Sequence, residues 1–188
     1  MKTAVTVISV LVVELILLIL FVNSGIYNVS TLSPDPGFLH WVFSRTSDNS
    51  AKAHSKDIPI PPLNDSSMVA EGVKLYKETC VGCHGAPGVN RSDIGAGLYP
   101  HPPNLVHSAK EMQASRLFWV AKNEIKSTGM PGFSRTHSDH QIWEIVAFLE
   151  KMKDMTPQEY AALVSAKTAM VSTPAKGAMK AIHPYKYR

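Results

Sequence analysis

Apolar residues crowd the start of the chain. From Thr3 to Val22 the sequence is apolar apart from Glu14 and small hydroxyl residues. At 1.5 Å rise per residue, these twenty positions predict a helix of about 30 Å, the thickness of a bilayer's hydrocarbon core. The pattern then loses its period. Between residues 24 and 64 only Phe38, Leu39, Trp41, Val42 and Phe43 gather into an apolar cluster, and Pro59, Pro61 and Pro62 predict a stiff, extended connector. A three-and-four spacing returns with Val69, Val73 and Tyr76, which predicts a helix to about Thr79, capped by Ser66 or Ser67. Gly72 lies on the same face and leaves room for another backbone. Gly85, Pro87 and Gly88 end that segment in a loop. A middle helix over about 114–126 offers Leu117, Phe118, Val120 and Ile125. A last one carries the stripe Ile142, Ile145, Val146 and Leu149, with Asp139 as its expected N-cap. From Thr156 a short helix to Ala166 gives way to Ala, Lys, Thr and Pro, a composition of disorder.

Charge changes this picture in two ways. The formal net charge is +4, yet residues 65–155 carry ten basic and ten acidic side chains, so the excess belongs to the segment after Thr156. The folded part is therefore no nucleic-acid binder, and no aromatic-studded basic stripe argues otherwise. Lys2 and the N-terminal amine are the only positive groups before the apolar span, and none follows until Arg45. That bias puts the N-terminus in the cytoplasm and the rest outside. The span is longer than a usual secretory signal core and ends in Val22-Asn23-Ser24, a poor cleavage site, so it reads as a retained anchor. Glu14, at mid-span, either meets a partner membrane subunit or is a carboxyl tolerated in a single-span anchor. The 38–43 cluster either lies at headgroup level or packs on a partner. The expected organisation is a transmembrane anchor over 1–23, an extracytoplasmic linker over 24–64, a helical domain over 65–155 and a basic, flexible tail over 156–188.

The two cysteines are three positions apart, in Cys80-Val81-Gly82-Cys83-His84. Two thiols at that spacing can bond the two vinyl groups of one haem while the next residue offers its imidazole to the iron. A zinc site would want a further Cys or His pair, and there is no second Cys pair. A thioredoxin-like dithiol would want a βαβ setting, and a structural disulfide leaves His84 unexplained. Haem attachment accounts for all three residues. Met130, in Thr128-Gly129-Met130-Pro131-Gly132-Phe133, is the best candidate for a second axial ligand, because a Gly/Pro turn is a poor place for a methionine filling a core gap. Met112 and Met152 sit on predicted helices and fit that packing role. His101, His107 and His137 fall in polar or Pro-rich loops and read as exposed.

The stretch from about Val69 to Met152 resembles a class I cytochrome c. The run from Tyr76 to Gly85, the Thr128-Gly129-Met130-Pro131 turn and the segment from Asp139 to Leu149 match three landmarks of that family in order. The resemblance implies thioether bonds from Cys80 and Cys83, a proximal His84, a distal Met130, and one covalent haem c. It implies the all-α cytochrome c fold, here preceded by one transmembrane helix, with the first domain helix crossing the last near Gly72 and Phe148. It also implies that a backbone carbonyl in the loop Tyr99-Pro100-His101-Pro102-Pro103 fixes the proximal imidazole. Gly25 to Asn28, Trp41 and His54 further resemble membrane-anchored monohaem cytochromes of bacterial respiratory chains.

With both axial positions filled, iron has no open site for a substrate, and the expected role is single-electron transfer rather than enzymatic turnover. The expected place is the periplasmic side of the inner membrane, and the expected partners are a quinol-oxidising complex, a dehydrogenase or a terminal oxidase. The alternatives are a fixed cytochrome c subunit of a larger oxidoreductase and, with Met130 displaced, a haem enzyme or gas sensor. Lys74, Lys77, Lys122 and Lys126 form either a basic docking rim or plain solvated helix faces.

Overall fold

The computed structural model describes residues 2–33 and 35–171. Among them every regular element is a helix, and the nearest approach to a sheet is one isolated bridge between Ala86 and Val89. The all-helical expectation holds. The chain divides into two compact units, Met1–Arg45 and Thr46–Arg188.

In the first unit, α1 (Lys2–Asn23) buries none of its side chains and is the one described helix long and apolar enough to cross a membrane. The residues after it are not simply extended. The Tyr27 hydroxyl donates to the Asp35 carboxylate at 2.7 Å, and a turn closes from Ser33 N–H to the Ser30 carbonyl at 3.0 Å. They lead into α2 (Gly37–Ser55), a helix that the sequence pattern did not announce.

The C-terminal half of α2 belongs to the second unit. It buries Ala51 and Ser55 and ties itself down by polar contacts: Asp48 pairs with Lys52 at 2.7 Å and with Arg116, and His54 stacks on Trp119 at 5.6 Å between centroids. Small and polar residues make this contact, so hydrophobic periodicity never registered it. A segment in which the sequence showed no clear period thus contains a helix.

The second unit is organised by the crossing of α3 (Ser66–Thr79) and α8 (Asp139–Met152). A Cβ built on Gly72 would stand 2.0 Å from the Glu144 carbonyl oxygen and 2.9 Å from the Phe148 Cβ, so only glycine permits this approach. The crossing expected at Gly72 and Phe148 is where the two helices meet. Tyr76 packs edge-on against Phe148 at 5.2 Å, and Ile142, Val146, Phe148 and Met152 are fully buried around it. Each such side chain contributes on the order of 1.5–3 kcal/mol by leaving water. The third core helix, α7 (Ala114–Asn123), ends earlier than expected, and its Phe118 stacks on Trp143 of α8 at 4.2 Å.

Two caps differ from the sequence reading. Asp65, not Ser66 or Ser67, caps α3 by accepting the Ser67 N–H at 2.8 Å. Ser138, not Asp139, caps α8, in a reciprocal box with Gln141, while Asp139 pairs with Lys122 at 2.7 Å. The helix expected from Thr156 is present as α9 (Pro157–Val171) and runs past Ala166; its Tyr160 is buried and its Leu163 and Val164 pack on the core. Lys176, Lys180, Lys186 and Arg188, which make up most of the expected basic tail, lie outside the described residues.

Candidate functional site

The cysteine pair sits where α3 hands over to a single further turn, α4 (Val81–His84). Cys80 N–H still donates to the Tyr76 carbonyl at 2.9 Å. The Cys80 carbonyl then accepts from Cys83 at 3.1 Å and His84 at 2.9 Å. One hydrogen-bonded turn thus carries both thiols and the imidazole, at the i, i+3 and i+4 positions that share a helix face. Cys80 and Cys83 are free thiols, not a disulfide. Among the described residues no group of three or more His, Cys, Asp and Glu side chains gathers as a metal site would need, which argues against zinc.

Three contacts hold this turn in place. The Tyr76 hydroxyl, buried in the core, donates to the Gly85 carbonyl at 2.5 Å. Ser92, from its side chain and its backbone N–H, donates to the Gly82 carbonyl, each at 2.8 Å. Ser92 also caps the short α5 (Asp93–Gly97), whose Gly95 lies so close that a Cβ there would come within 2.7 Å of the Gly82 oxygen and 2.8 Å of the Cys83 Cα. The Ser92-Asp93 pair was a legible cap signal, but nothing local said that its helix would abut Cys83.

The His84 ring is oriented from the Pro-rich loop. Its Nδ1 lies 2.8 Å from the Pro103 carbonyl oxygen. A carbonyl only accepts, so Nδ1 carries the proton and Nε2 keeps its lone pair. This is the tautomer that a ring bound to metal through Nε2 requires. Burial pulls the His84 pKa below its ordinary value, against the carbonyl's opposing pull and with a smaller contribution from Arg91. The ring is therefore neutral at neutral pH and able to bind metal. Burial likewise pushes the Cys80 thiol up to about 11, only partly offset by its contact with the Thr79 hydroxyl.

Met130 is half-buried and packs against the same hydrophobic core that holds Cys80. Its loop meets the other side of the Pro-rich segment, where a Cβ on Gly129 would stand 2.4 Å from a methyl of Leu98. The other three candidate histidines lie elsewhere. His107 is on a helix, α6 (Leu105–Glu111), not in a loop, and lies 3.3 Å from Glu111. His137 packs edge-on to Phe133, and His101 is exposed beside Tyr99. Of the candidate rim lysines, Lys122 is taken by Asp139 and lies over the Phe118 ring. The residues present thus fit a covalently held haem: two thiols outside any disulfide on one turn, and an imidazole whose protonated Nδ1 is fixed by a carbonyl, leaving Nε2 free.

Comparison with known proteins places part of the chain beside a family. Residues 67–149 match the family model described as cytochrome C oxidase, cbb3-type, subunit III. A curated relative, the 1-butanol dehydrogenase (cytochrome c) of Thauera butanivorans, is 41% identical over 81 residues, which are 43% of this chain and 11% of the relative. The chain therefore spans about a tenth of that protein's length. No solved structure matches the chain. The matched stretch is thus similar to a cytochrome c domain, a likeness that points to haem c and electron transfer.

Proposed function

We propose that this chain is a membrane-anchored single-electron carrier holding one covalent haem c. Cys80 and Cys83 would form the thioether bonds, His84 Nε2 and the Met130 sulfur the two axial bonds. The observation that carries the reading is the single turn bearing Cys80, Cys83 and His84, with the imidazole fixed by the Pro103 carbonyl at 2.8 Å. The group, when bound, supplies a reversible one-electron couple, and Met/His ligation raises its potential. The protein's share is to present two thiols on a rigid turn, hold one imidazole tautomer, and surround the site with the aromatic core of α3, α7 and α8. Met130, from its Gly/Pro turn, would supply a thioether to the iron and so keep outside ligands away.

The α1 helix is read as the retained anchor, with the haem domain on the periplasmic face of the inner membrane. In that position the chain would work in a respiratory chain, between a quinol-oxidising complex or dehydrogenase and a terminal oxidase. A fixed place in a larger oxidoreductase is the second reading. It is favoured by the family to which residues 67–149 match and by a relative whose matching stretch is a small part of a dehydrogenase. Co-purification of further subunits after mild detergent extraction separates it from a free carrier.

The first test is mass. Protein made in cells able to mature c-type cytochromes should keep its colour through acid extraction and weigh one haem more than the polypeptide. A colourless chain at the bare mass would defeat the assignment. The second is Met130→Ala, which should abolish the sulfur-to-iron band, admit carbon monoxide rapidly to the reduced protein and lower the potential by about 0.1 V or more, within the roughly 0.8 V that axial ligands command. An unchanged spectrum in that variant would remove Met130 from the iron.

A further inference from the structure

Immediately after α1 the first unit leaves a series of large apolar side chains in the open. Ile26 is 76% exposed, Val29 86%, Leu32 93%, Phe38 70% and Trp41 59%. A connector that merely crosses water has no reason to carry them, since exposed apolar surface on this scale marks contact with lipid or protein. The segment is also folded, not slack: the Tyr27–Asp35 hydrogen bond turns it back on itself before α2 begins. At about 100° per residue, Phe38, Leu39, Trp41, Val42 and Phe43 share one broad side of the α2 start, while His40 and Ser44 point the other way. Phe38 and Trp41 stack on each other at 6.2 Å on that apolar side.

We infer that residues 26–43 are a membrane-interface element, lying in the headgroup zone with Ile26, Val29, Leu32, Phe38 and Trp41 against the acyl boundary. This rests on the reading of α1 as a retained span. Three observations select lipid over a protein partner. The element follows directly on α1, which buries no side chain and, read as a span, would carry it to the membrane surface. Its composition is that of interfacial helices, with Trp, Phe and Tyr whose rings are favoured at headgroup depth. Its charge is sparse and suitably placed: Asp35 is bonded to Tyr27, and Arg45 stands one turn beyond Trp41, where a long basic stem reaches lipid phosphate.

The test uses the full chain, matured with its haem, in vesicles of phosphatidylcholine and phosphatidylglycerol. Phe38→Cys, His40→Cys and Val12→Cys are made separately, and each is treated with a membrane-impermeant maleimide, with peptide mapping to identify the labelled site. The haem spectrum reports that the second unit is intact. Phe38→Cys should react more slowly than His40→Cys by about tenfold or more, because the reacting thiolate is disfavoured out of water and each pKa unit is a factor of ten. Val12→Cys should be unreactive until detergent is added. Equal rates at positions 38 and 40, with position 12 protected, would overturn the interfacial element and leave the anchor standing. Free reaction at position 12 would overturn the anchor reading itself. Reaction at position 38 that is free in lipid vesicles but blocked in native membranes would assign the face to a protein and defeat the lipid proposal.

Discussion

The tyrosine hydroxyl four residues before Cys80 holds the carbonyl of the residue that follows His84. Tyr76 is fully buried, and burial lifts its phenol so far above the ordinary range that it remains a donor at any working pH. Tyr76→Phe keeps the ring against Phe148 but leaves the Gly85 carbonyl unpaired, which costs about 1–3 kcal/mol. The holoprotein should keep its spectrum while its unfolding free energy in urea falls by that amount, and an unchanged value would show that water replaces the hydroxyl. Residues of this kind mark the limit of what the sequence discloses. Cys80, Cys83 and His84 are legible because their chemistry is a matter of local spacing. Met130 drew attention because it stands in a Gly/Pro turn; the structure packs it half-buried against the core, and its place on the iron remains part of the proposal. The Pro103 carbonyl and the Tyr76–Gly85 bond depend on backbone atoms far apart in space, and side-chain identities do not name them.

Elements were legible to the degree that their packing is hydrophobic. Helices α3, α7 and α8 show three-and-four apolar spacing, and Gly72 advertised the point where two of them cross. The C-terminal half of α2 packs through Ala51, Ser55 and the Asp48–Arg116 pair, which no hydrophobic pattern records. Caps were misplaced by a residue at α3 and α8 because Asp, Ser and Ser stand together and several can serve. Three carboxylates that stabilise element contacts are held below their ordinary values: Asp48 by hydrogen bonding from Lys52 and then Arg116, Asp65 by the Ser67 hydroxyl and N–H, and Glu159 by the Thr156 N–H and hydroxyl. A depressed carboxylate adds stability above its unfolded value, near 3.8 for Asp and 4.5 for Glu, and loses it as pH falls through the folded value. The unfolding midpoint should therefore be level around neutrality and decline on acidification below about pH 4.5. Asp65→Asn keeps a capping oxygen but removes one titrating group, so it should shrink the acid decline while changing the neutral midpoint little. An acid limb identical to that of the parent protein would count against the Asp65 contribution.

At the scale of the whole molecule, charge balance decides how a redox partner is found. Residues 65–155 hold equal numbers of acidic and basic side chains, and Lys122, one of four candidate rim lysines, is neutralised by Asp139. A domain so balanced has little long-range field, so association relies on short-range fit and on whatever holds the two proteins near each other. On the proposed reading of α1 as an anchor, sharing a membrane with the partner would supply that proximity by raising effective concentration, with no need for steering. The consequence is measurable with small reagents. Oxidation of the reduced protein by ferricyanide, an anion, and by a cationic cobalt complex should each change by no more than about threefold between low and physiological ionic strength, where screening over a Debye length of about 8 Å removes any steering present. A steep fall in the ferricyanide rate alone would reveal a basic face near the electron's exit and restore Lys74, Lys77 and Lys126 as a docking rim. A shallow response to both would favour the proposed membrane confinement over steering as the means by which so nearly neutral a domain meets a redox partner.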